Sequence, residues 1–326
     1  MADQFNTQNQ SIVKGIPLRS KFVFELFKHQ QLHPFYRNTV QNSITGKQYL
    51  IAHNFADDPK ALTYLVSDIP SYLILANSDS HKQFKSKKVK QYPGFLIDLK
   101  NTSSADTYIN SKLSRRNIKR IQKNHDALIS NHNCSFRAII GHISKEECNS
   151  LMDTLSEYLK NRFNEKRIRN RYLGTWNTYR EEIFEKINKG SASLFVITDR
   201  KKPICITLNY HLEDVLFSEL EGHHPAFGKY SLGDISMKYH LDWCTRNNVQ
   251  LMDLSIGKTA FKLKWCNHQY DFCSHVHYRK NNLFAQAKSQ CLSLILNLKQ
   301  RLRNSGVAGG IINLDRILFI LKGQNK

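Results

Sequence analysis

Pro203–Trp265 reads PICITLNYHLEDVLFSELEGHHPAFGKYSLGDISMKYHLDWCTRNNVQLMDLSIGKTAFKLKW, and this stretch decides the fold. Ile204–His211 and Val215–Gly222 are apolar runs of strand length, joined around Glu213 and Asp214. The loop His223–Gly233 holds Gly228 and Gly233 and leads into a helix predicted over Asp234–Asn247. A short strand follows over Gln250–Ser255, and then Lys262 within Ala260-Phe261-Lys262-Leu263-Lys264-Trp265. A helix entered from such a loop presents N–H groups that have no partner inside the helix. They sit at the positive end of the helix dipole, so they form a ready site for a phosphate or pyrophosphate.

Working outward, Leu194–Thr198 is a third strand, turned into Ile204–His211 at Asp199–Pro203. Residues 176–189 predict a helix stopped by Gly190 at C′. Residues 144–160 predict another, opened by a capping box of Ser144 and Glu147. Residues 134–140 and Phe272–Tyr278 read as strands. Over 106–130 one long helix is predicted, because Ile109, Leu113, Ile118, Ile121 and Leu128 recur at helical spacing. Asp106 suits its start, and Lys112, Arg116 and Arg120 share one face at i, i+4 and i+8. Nearer the N-terminus, a helical piece over Phe22–Gln31 precedes strand-like runs at Gln48–Ala52, Ser71–Ala76 and Gly94–Leu99. Lys82, Lys85, Lys87, Lys88 and Lys90 predict a basic surface loop between the last two, a phosphate-facing loop being the alternative.

The organisation expected is a polar lead-in over 1–20, an N-terminal lobe over 21–105, a second domain over 106–280 and a basic extension over 281–326. Leu292–Leu298 and Ile317–Leu321 make that extension partly amphipathic, which suits a docked helix or contact with an anionic membrane surface. With 326 residues, 40% hydrophobic and 23% charged, the chain has the make-up of a globular protein with a sizeable core. Its net charge of +21 favours anionic partners such as nucleotides, nucleic acid, lipid headgroups or acidic glycans. Seven cysteines, an odd number without a CxxC pair, and a polar start predict a reduced, cytoplasmic protein without disulfides, peripheral at the inner membrane surface at most. The spacing of Cys266, His268, Cys273, His275 and His277 matches no zinc pattern, so no metal is expected.

From about residue 92 to 278 the order of elements resembles the Gcn5-related N-acetyltransferase (GNAT) fold, and within it the BioF2-like or CelD-like acyltransferases related to FemAB-type transferases. Three places carry the resemblance. One is Gly94-Phe95-Leu96-Ile97-Asp98-Leu99, followed by the basic helix Ser114–Arg120. The second is Pro203–Asn247, and the third is Met252-Asp253-Leu254-Ser255-Ile256-Gly257 with Phe261-Lys262, where the family commonly shows Tyr-Lys. The resemblance implies an α/β (α+β) fold with a mixed central sheet flanked by helices, in one or two packed lobes, the N-terminal one a degenerate copy. The cofactor loop of the family, Gln/Arg-x-x-Gly-x-Gly/Ala, corresponds here to Phe227–Gly233, whose glycines stand in a different register.

The resemblance also implies N-acyl transfer by direct attack within a ternary complex. Acyl-CoA (acetyl-CoA or longer) is then the co-substrate, and the acceptor is an amine on a small molecule or on a glycan or lipid precursor. A carboxylate takes the proton from the attacking amine. Glu219 and Glu221 lie two apart on a strand, expected on one face with Phe217, and either is a candidate base. Repulsion between them is expected to raise one pKa, unless nearby Lys or Arg side chains pair them. Gly228, Lys229, Gly233 and the N–H groups of Asp234 and Ile235 form the candidate pyrophosphate cradle, with helix capping the other role open to Asp234. By resemblance Lys262 contacts phosphate or supports the transition state, and Asp253 holds Lys262 or an arginine of the 115–120 helix. Arg116, Arg120 and His223 are candidates for substrate binding. Two other functions compete. One is an aminoacyl-tRNA-dependent transferase of FemAB type, ranked lower because no long heptad arm is visible. The other is a non-enzymatic basic module that binds nucleic acid or anionic membrane.

Overall fold

A computed structural model of the chain describes residues 18–53, 61–167, 172, 174 and 176–305. Most of the lead-in and the run 317–321 lie outside the described residues. The strands are β1 (Leu18–Lys21), β2 (Gln31–Leu32), β3 (Tyr36–Asn42), β4 (Gln48–Leu50), β5 (Ala52–His53), β6 (Thr63–Pro70), β7 (Leu73–Asn77), β8 (Phe84–Asp98), β9 (Cys134–Ile139), β10 (Ala192–Asp199), β11 (Lys202–Leu212), β12 (Val215–His223), β13 (Leu251–Ile256) and β14 (His268–Arg279). The helices are α1 (Ala105–Lys112), α2 (Arg115–Asn131), α3 (Lys145–Glu165), α4 (Trp176–Asn188), α5 (Leu232–Arg246), α6 (Ala260–Trp265) and α7 (Leu283–Asn304).

The chain forms two compact units. The first takes the residues up to Phe95, then 256–258 and the stretch from Gln269. In it β1 pairs parallel with β6, and β6 antiparallel with β14, so its sheet is mixed. α7 docks on that sheet through Leu292 and Leu296, against Leu65, Val89 and Val276. One expectation is corrected here. Lys82 lies in a turn, but Lys85, Lys87, Lys88 and Lys90 belong to the start of β8, where the Lys90 ammonium meets Asp271 at 2.7 Å and Lys87 sits over the Tyr278 ring. Buried Val89 and Gln91 alternate with those lysines and hold the strand. The helical piece expected over Phe22–Gln31 is present over residues 22–29, with wide turns at Phe24–Lys28.

The second unit takes Leu96–Ser255 with Thr259–His268. Its strands run in the order β13-β12-β11-β10-β9. β12 and β13 are parallel and the other pairs antiparallel, so this sheet is also mixed. β11 is buried along nearly its whole length, which explains its continuous apolar run, and the edge strand β9 alternates. α3 and α4 cover one face: Leu155 and Tyr158 of α3 press on Gly222, where an added Cβ would meet both at 2.9 Å. α5 covers the other face, its Ser236 and His240 against Thr207 and Asn209. Ser144 caps α3 by accepting from the Glu147 N–H, and Gly190 follows α4 at φ +72°. The single helix expected over 106–130 is two. Leu113 is extended, and Ser114 caps α2 by accepting from the Asn117 N–H, so Lys112 does not share a helix with Arg116 and Arg120.

Candidate active site

The site grows from a fork in the second unit's sheet. β12 and β13 pair only at Val215–Leu251, Leu216–Met252 and Phe217–Asp253. Both strands continue beyond that point without pairing to each other. Just past the fork β12 carries a bulge: Leu208 faces Leu220 and Asn209 faces Ser218, which leaves Glu219 as the extra residue.

The bulge resets the alternation of side chains. Tyr210 pairs with Phe217, and its hydroxyl donates to the Tyr179 hydroxyl of α4 at 3.0 Å. Thr207 pairs with Glu221 and lies on the α5 side, 3.5 Å from the Ser236 hydroxyl. Directly opposed residues share a face, so Phe217 points to α4 and Glu221 to α5. Glu219 goes with Phe217: its carboxylate accepts from the Tyr172 hydroxyl at 2.9 Å, and after burial it is what pushes the Tyr210 hydroxyl well above its ordinary range. The one face expected for Phe217, Glu219 and Glu221 is therefore two faces.

Burial, then the Asp234 carboxylate, hold the Glu221 carboxyl above the usual range, against the pull of Arg162. Arg162, near the end of α3, donates to the Glu221 carbonyl at 3.0 Å. Opposite the carboxylate stands Gly233, in the first turn of α5; an added Cβ there would come within 3.1 Å of Glu221 Oε1. That approach is the reason for a glycine at this position, whereas a Cβ at Gly228 would meet nothing. His223 lies two residues after Glu221, and burial followed by Arg162 pushes its imidazole down, so it is neutral at pH 7.

An open cavity of about 350 Å³ lies at the start of α5, lined by Arg120, His223, Gly228, Ser231, Leu232, Gly233, Asp234, Ala260, Phe261 and Lys264. Ser231, at φ 54°, precedes the helix without capping it; its hydroxyl accepts from Asn124 instead. The N–H groups of Asp234 and Ile235 both donate to the Ser231 carbonyl, at 2.8 and 3.4 Å. The helix-start amides ahead of them are those of Leu232 and Gly233, and the Ile235 side chain is core. The Asp234 carboxylate does not cap the helix. It accepts from Lys264 and from Trp265 Nε1 at 2.9 Å, and Arg120 stands 3.7 Å away.

A second polar group sits on the β13 side. The Asp253 carboxylate, fully buried, accepts from the Ser255 N–H at 2.6 Å, and Ser255 is left-handed at φ 62°. Lys262 Nζ donates to the Ser255 carbonyl at 3.2 Å. Burial lowers the Lys262 ammonium, with Asp253 and then Cys266 resisting. Burial pushes the Cys266 thiol up to about 12. Of the two partners expected for Asp253, Lys262 is the one it acts on, and Arg120 is turned to Asp234.

Other candidates stand apart. Arg116 is exposed and does not line the cavity, and Lys229 sits over the Tyr230 ring. His275 and His277 lie in the first unit, both against the Tyr36 hydroxyl, and Cys266 lies in the second. Three participants were not foreseen. Lys264 had a signal: on a short helix it cannot share a face with Lys262 two residues earlier, so the two meet different surroundings. Arg162 and Tyr172, 59 and 47 residues from their glutamates, had none.

Residues 114–263 match the family model described as acetyltransferase (GNAT) domain. No curated protein matches the chain in sequence. Among solved structures, FemX is similar at 10% identity, over 71% of this chain and 75% of its own, with a TM-score of 0.49. The C-terminal domain (DUF2156) of a putative lysylphosphatidylglycerol synthetase from Agrobacterium fabrum is similar at 12% identity over 76% and 73%, with a TM-score of 0.44. A tandem GNAT protein from the clavulanic acid biosynthesis pathway is similar at 11% identity over 68% and 65%, with a TM-score of 0.35.

Proposed function

We propose that the chain, whose residues 114–263 match the acetyltransferase (GNAT) domain model, moves an acyl group from an acyl-CoA thioester to an amine, with Glu221 as general base. One observation carries this reading: a carboxylate held above its usual range beside the glycine that opens α5. A base works best when its pKa lies near the working pH, and burial supplies the shift.

The donor's phosphates suit the cavity. The amides of Leu232 and Gly233 and the cations of Arg120 and Lys264 would hold them. The carboxylate that would repel them, Asp234, is bonded to Lys264 and Trp265. The acceptor arrives as an ammonium and gives one proton to Glu221. Its nitrogen then attacks the thioester carbonyl, the C–N bond forms as the C–S bond breaks, and the departing sulfur takes up a proton. Lys262, fixed by Ser255 and Asp253, supplies positive charge as the carbonyl oxygen becomes negative. The acceptor class is an amine on a small molecule or on a glycan or lipid precursor.

The test is a thermal-shift titration with CoA and acetyl-CoA, followed by thiol release over a panel of amines. Stabilisation by CoA and amine-dependent thiol release are expected. No shift with any acyl-CoA and no thiol release would sink the CoA donor. Label passing from charged tRNA to an amine would replace it with an aminoacyl donor.

A further inference from the structure

Among the described residues, α7 has two faces carrying apolar side chains and a docking partner for one. The docked stripe is Ala285, Ser289, Leu292 and Leu296, spaced as one helix face, and it meets Leu65, Val89 and Val276. The other contains Phe284, Ile295, Leu298 and Leu302, spaced 11, 3 and 4 residues apart, which is again one face of a helix. With Leu283 and Leu294 at its edge, this stripe is in the open: Phe284 is 67% exposed, Leu294 68% and Leu298 57%. At 100° per residue it points roughly 120° away from the docked stripe. Exposed apolar residues scattered singly need no explanation, but six on one side of a 22-residue helix do.

The charges beside the stripe identify what covers it. Lys288 and Lys299 flank one edge and Arg301 the other. The sequence holds no acidic residue from Arg279 to Leu314. A second copy of this helix would set these cations against each other. An apolar surface that is also anionic satisfies both features, and a bilayer with acidic headgroups is one. Among the described residues no helix is long and apolar enough to cross a membrane, so the contact is a helix lying in the interface.

We propose that α7 is a surface anchor that lays Phe284, Ile295, Leu298 and Leu302 into the headgroup region of an anionic membrane, with Lys288, Lys299 and Arg301 on the acidic lipids. This inference stands apart from the reading of the active site. The test is flotation of the full chain with phosphatidylcholine vesicles, with and without phosphatidylglycerol. Binding to the anionic vesicles should be at least roughly tenfold stronger and should weaken with salt. Leu298→Glu with Leu302→Glu should abolish it. Both positions are exposed, so circular dichroism should be unchanged. Absence of binding, equal binding to neutral vesicles, or binding that survives the double substitution would overturn the proposal. So would sedimentation showing a dimer that the same substitution dissolves while vesicle binding is unchanged.

Discussion

Glu219 and Glu221 are the same residue type on the same strand, two positions apart, and they live in different chemistry. Glu219 faces the α4 side, where the Tyr172 hydroxyl serves it and Tyr210 and Tyr179 stand close. Glu221 faces the α5 side, with Gly233 against its oxygen, Arg162 on its carbonyl and Asp234 adding charge. One extra residue in β12 makes the difference. A bulge thus puts on opposite faces two side chains that composition and spacing leave equivalent, and it does so beside the fork where β12 and β13 part.

The sharpest way to break the comparison is to neutralise each carboxylate. Glu221→Gln should lower the rate of thiol release by about 10²–10⁴-fold, the usual loss of a general base. Glu219→Gln should cost less than roughly tenfold, through positioning alone. Equal losses would show that the two faces share the chemistry.

Stability separates Glu221 from its neighbour Asp234. The Glu221 carboxyl titrates above its unfolded value, so the native state binds that proton more tightly. Its contribution is full below the unfolded pKa and is lost as pH rises through the native one. Above its native pKa the wild type therefore bears a desolvated charge that Glu221→Gln lacks. The variant should melt higher above that pKa, with the gap closing as pH falls toward the ordinary carboxylate range. Asp234→Ala should go the other way, by about 1–3 kcal/mol in denaturant unfolding, because it leaves the buried Trp265 Nε1 and the partly buried Lys264 ammonium without their acceptor.

The two glycines give the smallest contrast. Gly233→Ala pushes on the Glu221 carboxylate and should cost about 1–3 kcal/mol together with affinity for CoA. Gly228→Ala meets open space and should stay within about 0.5 kcal/mol. Calorimetry with and without CoA reads both.

Much of the second unit is legible in the sequence because its signals are local. Ser144 with Glu147, Gly190, and the runs that became β10, β11 and β12 act through neighbours in the chain. What failed was decided by partners elsewhere. Leu113 continues the apolar period of the helix, and only the cap at Ser114 shows that a new helix begins. The lysines of β8 look like a loop until Asp271 and Tyr278 arrive from β14. The bulge at Glu219 exists only against Leu208 and Asn209. Around the candidate site, the loop glycines and both glutamates stand out in the sequence, but the different surroundings of the two glutamates do not.

The most direct test of Glu221 as the base is the pH profile of amine-dependent thiol release for the wild type, Glu221→Gln and Glu219→Gln. For the wild type the rate should rise with pH through a group above the ordinary carboxylate range. That rising limb should vanish in Glu221→Gln and persist in Glu219→Gln. A limb that survives in Glu221→Gln, or is lost with Glu219→Gln, would contradict the assignment.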